Sequence, residues 1–418
     1  MTAGILLPSG MEHWYNQIWW AHLPGQVVAP LCAFAGVRYV PIKAPTLLWA
    51  LIYGLTLGFG ITLGRSYPNA ATILQCITRQ WRVLGYHRLW AHRSFRAHIA
   101  LRVFLAVVGA GNAQRSIKWW VTGHRAHHRY LDTDLDPYNA RKGLLHSHVG
   151  WLLVRPPAND WDVDISDLES DPVVMWQDRY FIPLSVSMCL VVPALVSWMG
   201  WGDFWGGLLY AGLWRMVVIF HCTFTVNSLA HWAGQQPFSR TITARDNPVV
   251  GLLALGEGYH NFHHEFPTDY RCGIRWYDLD MTKWVIRLLA TIGVATHLHT
   301  VSDVVIQTCR EPHRGGPIET KSSPCDYVPV IDWEDYTQQA ASGRALIAIA
   351  GFVYDITEFV DRHPGGEKIL RAAIGHDATA MFHGGVFSHS VAASSLLSTM
   401  CVYVIRGGGR VEIRQKTE

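Results

Sequence analysis

The stretch Gly256-Glu-Gly-Tyr-His260-Asn-Phe-His263-His264-Glu-Phe-Pro-Thr-Asp-Tyr-Arg271 decides how the rest of the chain is read. Residues three or four apart share a helix face, so His260, His263 and His264 can converge on one point. His124-Arg-Ala-His127-His128 repeats the pattern, and His87-Arg-Leu-Trp-Ala-His92 adds two more histidines. In Asn227-Ser-Leu-Ala-His231, the i, i+4 spacing turns an amide and an imidazole the same way. Eight histidines in three runs, with His231, exceed what one metal ion can take. Imidazole suits Zn, Cu, Fe and Ni. The eight cysteines contain no C-x-x-C pair, which argues against a structural zinc cluster. The set reads as a nitrogen-rich site for two irons.

Composition gives that site a setting. Of 418 residues, 50% are hydrophobic and only 16% charged, against about 25% charged in soluble domains. The 19 Trp suit membrane interfaces. These proportions disfavour a disordered chain, a coiled coil or a disulfide scaffold, and a net charge of +3 implies no nucleic-acid role. The first 22 residues hold no Lys or Arg, so the basic start of a signal peptide is missing. Uncharged runs at 44–64 and 180–202 are long enough to cross about 30 Å of hydrocarbon. Weaker candidates at 19–37 and 204–227 bring the expected spans to four. The 65–179 stretch carries 15 Lys and Arg, whereas the opposite connections carry only Arg38 and Lys43. The excess of positive charge predicts that the long loop and the C-terminal side face the cytosol.

The three histidine runs, HxxxxH, HxxHH and HxxHH, resemble those of membrane fatty-acyl desaturases, and the 256–271 phrase is similar to acyl-CoA Δ9 desaturases. Ser116-Ile-Lys-Trp-Trp120, Asp132-Thr-Asp-Leu-Asp-Pro-Tyr138 and Ser147-His-Val-Gly-Trp151 resemble the fungal members. The likeness runs from about residue 13 to 300. It implies a mainly α integral membrane protein with four transmembrane helices under a cytosolic helical cap that holds a di-iron site. It implies nine histidine ligands at the catalytic centre: His87, His92, His124, His127, His128, His231, His260, His263 and His264. Asn227 would reach the metals through water. The implied reaction activates O2 and removes hydrogens from C9 and C10 of a saturated acyl-CoA, in an endoplasmic-reticulum membrane. Arg155 matches a CoA-contacting arginine of the animal enzymes. Arg115 and Trp120, with Lys118, Arg141 and Lys142, are further substrate-binding candidates. The Arg-Asp that precedes the second run in animal enzymes is Thr122-Gly123 here, so the adenine-end contacts do not carry over.

After the 1–303 unit, residues 304–326 read as a polar linker and 407–418 as a tail. Between them, 327–406 holds β-like runs at 328–331 and 346–349, then Gly351-Phe-Val-Tyr-Asp355, His363-Pro-Gly-Gly366, Gly375-His-Asp-Ala-Thr379 and His389. This resembles cytochrome b5, a small α+β fold. The likeness implies His363 and His389 as axial ligands of haem b, with His376 and His383 as competing positions. Two histidines on one haem leave no open iron position, so the module passes electrons. NADH-cytochrome b5 reductase is the implied donor to it.

One departure from the pattern stands out. In the resembled family the second span runs almost directly into the first histidine run, whereas here residues 65–85 intervene. They read as a retained intron or a true insertion. Two other readings remain: another membrane histidine-run lipid hydroxylase, and a desaturase-inactive membrane electron carrier if the extra residues break the iron site.

Overall fold

The computed structural model describes residues 18–56, 83–154, 161–310, 328–383 and 389–407. Arg155 and residues 65–82 of the extra segment lie outside them. The chain is mainly helical, with one small sheet near its C-terminal end.

Two apolar helices lead the described residues, α1 (Ala29–Val37) and α2 (Ala44–Thr56). Two longer ones come later, α6 (Phe181–Trp201) and α7 (Phe204–Trp232), and these two are long and apolar enough to cross a membrane. The four pack through polar anchors, some within the helices and some at their ends. Trp214 Nε1 donates to the Ala33 carbonyl at 3.1 Å, Trp49 Nε1 to Pro193 at 3.1 Å and Tyr210 to Val40 at 2.6 Å. Asp203, which caps the start of α7, accepts from Thr46 and lies 3.6 Å from Lys43. The last span, expected to end at 227, turns irregular at Ser228 and continues to Trp232, carrying His231 with it.

The cap is assembled from α3 (Val83–Ala91), α4 (Ile99–Ala110), α5 (Ile117–Arg129), α8 (His260–Glu265) and α9 (Met281–Thr291). Helix α5 starts where Ser116 Oγ accepts from Trp119 N–H at 3.3 Å, an N-cap that satisfies an otherwise orphaned donor. A two-residue pairing of β1 (Arg96–Ala97) with β2 (Ala295–Thr296) brings the start of α4 beside the end of α9. Leu84, Tyr86, Leu105, Ile117, Val121 and Ile286 form the heart of the cap core.

Two expectations about boundaries are corrected. Val83, Leu84 and Gly85, placed in the extra segment by the 65–85 bounds, are buried in α3 and continuous with the first histidine run. Leu63-Gly64 is repeated as Leu84-Gly85, so the excess run can equally be bounded at 63–83; Leu84 and Gly85 themselves are buried. The expected linker from 304 is instead helix α10 (Asp303–Arg310) up to residue 310. Its Val305, Ile306 and Cys309 form an apolar stripe that buries against Phe238, Phe262 and Phe266.

The C-terminal module has a four-stranded sheet in the order β3 (Val330–Ile331), β6 (Cys401–Ile405), β5 (Phe352–Asp355), β4 (Leu346–Ile349). β3 lies parallel to β6, and the other pairs are antiparallel. Helices α11 (Trp333–Ala341), α12 (Glu367–Ala373), α13 (Thr379–His383) and α14 (Val391–Ser398) complete it.

Candidate metal and haem centres

The first histidine run gains its geometry from a wide, π-type helix. His92 N–H donates to the His87 carbonyl at 3.0 Å, a five-residue step that puts both rings on one side. In α5 and α8 the usual α spacing does the same for His124, His127 and His128 and for His260, His263 and His264.

The nine rings meet in two groups. His87, His92, His124 and His263 each bring one ring nitrogen to within 4.8 Å of the others, and so do His127, His231, His260 and His264. His128 Nε2 lies 3.1 Å from His263 Nε2 and joins the first group. Other Nε2 pairs stand at 3.0 Å (His87 with His263), 2.8 Å (His92 with His124) and 3.0 Å (His260 with both His231 and His264). Two nitrogens at right angles about one ion, each about 2.1 Å from it, are about 3 Å apart. The donor set therefore fits two transition-metal ions. His127 Nε2, buried among these rings without a hydrogen-bond partner, fits the same reading.

Carboxylates on the outer side turn the rings. His87 Nδ1 lies 3.1 Å from Glu257 and His127 Nδ1 2.8 Å from Asp136. His231 Nδ1 donates to Thr243 Oγ1 at 2.8 Å, and that hydroxyl donates to Asp132 at 2.5 Å. Such partners fix the tautomer and aim Nε2 at a metal. Glu257 is itself held by Arg88 (2.9 Å), whose guanidinium also forms two bonds to Asp280 at 2.8 and 3.1 Å, all in a buried setting. Burial pushes the Glu257 carboxyl up, but His87 and Arg88 outweigh it and hold the group well below the usual range. Burial first, and neighbouring imidazoles second, hold His92, His124, His128, His260, His263 and His264 well below ordinary histidine values. They are neutral at physiological pH, the form that binds metal.

Reading by local spacing missed Glu257, Asp136, Thr243 and Asp132. The signal was present in part: Glu257 stands three residues before His260, and Asp132 and Asp136 lie in the 132–138 phrase. Asn227 is half-buried at the end of the regular part of α7, one turn before His231. Trp120 stacks on the His124 ring, centroids 4.7 Å apart. Arg115 lies over the Trp119 ring at 5.5 Å. Lys118 pairs with Glu169 at 3.0 Å, and Lys142 is 3.8 Å from Asp134. A cleft lined by Trp19, Trp119, Tyr138, His146, Trp151 and Trp161 reaches this region. The Tyr138 ring is 4.7 Å from His127.

In the C-terminal module, His363 and His389 face one another with ring centroids 6.3 Å apart. Two imidazoles on opposite sides of one iron, each bonded at about 2.0 Å, place their centroids a little over 6 Å apart. His363 Nδ1 donates to the Gly366 carbonyl at 3.2 Å and His389 Nδ1 to Phe382 at 3.0 Å, which leaves Nε2 as the ligating atom on each. Burial lowers His363 to about 4. The pair fits a bis-histidine haem. His383 instead lies with its ring 5.0 Å from Phe382, and His376 gives its carbonyl to Tyr336. Gly365 is required by proximity, since a Cβ there would come within 2.8 Å of the His363 ring.

Comparison with known proteins agrees with both centres. Residues 65–299 match the fatty acid desaturase family, and residues 332–406 match the cytochrome b5-like haem/steroid binding domain. The chain is 42% identical over 413 residues to a probable acyl-CoA desaturase of Schizosaccharomyces pombe, covering 97% of this chain and 81% of that protein. It is 38% identical to acyl-CoA desaturase 1 of Saccharomyces cerevisiae over 98% of this chain and 78% of that one. Stearoyl-CoA desaturase 5 of Homo sapiens is 38% identical over 67% of this chain and 81% of its own.

Proposed function

The chain belongs to the fatty acid desaturase family and carries a cytochrome b5-like domain, and on that footing we propose that it is an acyl-CoA Δ9 desaturase served by its own haem module. The observation that carries the reading is the pairing, on one chain, of two converging histidine groups with a bis-histidine haem site.

Bound iron supplies O2 activation for removing two hydrogens from a saturated acyl chain, and bound haem supplies electrons one at a time. The protein's work is to hold, orient and exclude water. His87, His92, His124, His128 and His263 hold one ion. His127, His231, His260 and His264 would hold the other, with Asn227, one turn before His231, as a further polar group for that ion. Glu257, Asp136 and Thr243 fix the ring tautomers. Trp120 walls the site beside His124. The cleft of Trp19, Trp119, Tyr138, Trp151 and Trp161, whose lining also includes Asp134, Asp136 and Lys142, is the entry for the acyl chain next to His127. Arg155 and Arg115 stand as partners for the CoA phosphates. His363 and His389 hold the haem. Four spans, α1, α2, α6 and α7, anchor the chain in the endoplasmic-reticulum membrane with cap and haem module in the cytosol. NADH-cytochrome b5 reductase feeds the haem.

The test is expression in a strain unable to make unsaturated fatty acids, followed by gas chromatography of its lipids. A new monoene with its double bond at C9 is the expected product. A hydroxylated chain would replace the reading with a lipid hydroxylase, and haem-bearing protein with no product would reduce it to an electron carrier.

A further inference from the structure

The haem module is seated on the desaturase cap by contacts that lie beside the two candidate haem ligands. On the His389 side, helix α14 begins two residues later, and its Ala392 N–H donates to Glu265 Oε1 at 3.0 Å. The Ser390 hydroxyl reaches the same carboxylate. Glu265 is buried, is the last residue of α8, and directly follows His264. Around this bond, Ala392 packs into the cluster of Phe238, Phe262, Phe266, Val305, Ile306 and Cys309. On the His363 side, Lys368 N–H donates to Asp164 Oδ2 at 3.1 Å. Gly366 (φ +102°) lies so close that an added Cβ would meet Asp164 at 2.4 Å. A bridge from Arg96 to Asp361 at 3.2 Å is exposed on both sides and adds little.

We propose that Glu265 and Asp164 are positioning residues that hold the haem module in its electron-delivering pose, Glu265 by tying the helix next to His389 to the helix that carries His260, His263 and His264. The inference rests on the reading under Proposed function. It assigns the pose to a buried, directional hydrogen bond and an apolar seat, where exposed charge alone would leave the module loosely held. The route from His389 to His264 is then short: three residues along the chain, one hydrogen bond, and one residue back. Each transfer oxidises ferrous haem to ferric and reduces a ferric iron by one electron. Two transfers serve a turnover, with NADH as the ultimate reductant through a flavoprotein reductase.

The experiment uses the full-length holoenzyme, purified in detergent, with its haem photoreduced under argon and then mixed with aerated stearoyl-CoA. Haem reoxidation is followed by its absorbance in stopped flow, alongside a mixing without substrate. Wild-type, Glu265→Gln and Glu265→Ala are compared. The Ala variant should reoxidise its haem about tenfold more slowly, the weight carried by a hydrogen bond to a charged acceptor. Gln, whose amide oxygen still accepts, should restore most of the rate. Haem absorbance and iron content should be unchanged, and amide exchange over 391–398 should rise in Ala only. Wild-type reoxidation rate in the Ala variant would overturn the proposal. If that variant binds less iron, Asp164→Ala, which touches none of the nine histidines, decides by the same two outcomes. Absence of any substrate-dependent reoxidation in wild-type protein would instead sink the desaturase reading itself.

Discussion

Replacing Glu257 by Gln tests whether carboxylates behind the histidines set the affinity for iron. The carboxylate faces two donors, His87 Nδ1 at 3.1 Å and Arg88 at 2.9 Å. A Gln amide has one accepting oxygen and one NH2, so it satisfies one donor and confronts the other. Arg88 keeps its paired bonds to Asp280 and its 2.6 Å bond to the Tyr270 carbonyl. The arginine therefore remains compensated, and the loss falls on His87. Removing an outer partner of a metal-bound histidine weakens binding about 10- to 100-fold, equivalent to about 1.4 to 2.7 kcal/mol. The folded state itself loses roughly 1–3 kcal/mol for one unsatisfied buried donor. The assay is iron content after dialysis against a graded series of chelator concentrations, with haem absorbance as an internal control for folding. One of the two irons should leave at 10- to 100-fold lower chelator strength while haem stays. Retention of both irons at wild-type chelator strength, with the protein folded, would refute the reasoning that Glu257 tunes His87.

Three further outcomes follow from the same geometry. His124→Ala should abolish desaturation and leave haem absorbance intact, whereas His363→Ala should lose haem and keep iron; loss of both in either variant would contradict two separable centres. Gly366→Ala places a side chain at φ +102°, ψ +155°, a region essentially confined to glycine and costing about 1–3 kcal/mol; the haem-release midpoint should drop by about 5 °C or more, and an unchanged midpoint would count against the turn. In iron-depleted protein, six buried histidines titrate below their usual value. Below about pH 6.5 the unfolded chain binds more protons than the folded one, so stability falls as pH falls; a melting temperature that held level from pH 7 to 5 would show that the cluster is not held neutral.

What the sequence made legible was set by how far apart the interacting residues lie along it. Spacings of three and four predict convergence directly, and α5 and α8 deliver their six histidines as that rule requires. The spacing of five in His87–His92 does not share an α-helix face, and it works because α3 is wound wide enough for an i to i−5 bond. Partners across the fold are invisible to such rules. Arg88 and Glu257 are 169 positions apart, and nothing in either neighbourhood names the other. His127 and Asp136 are only nine apart, yet the turn that joins them follows no helical period.

The boundary errors have the same root. Val305, Ile306 and Cys309 sit at helical spacing, but in an eight-residue segment an apolar stripe gains stability only from a surface to bury against. That surface comes from Phe262 and Phe266, in and just after the third histidine run, and from Phe238, more than twenty positions upstream. The helix that ends the desaturase unit in turn packs against the helix that follows His389. The repeated Leu-Gly makes the complementary point. Sequence leaves two registers for the extra segment equivalent, and packing shows what the second copy does: Leu84 is almost wholly buried, and a Cβ on Gly85 would come within 3.0 Å of the Trp90 ring. The residues adjoining the first histidine run are therefore part of the packed core that supports it.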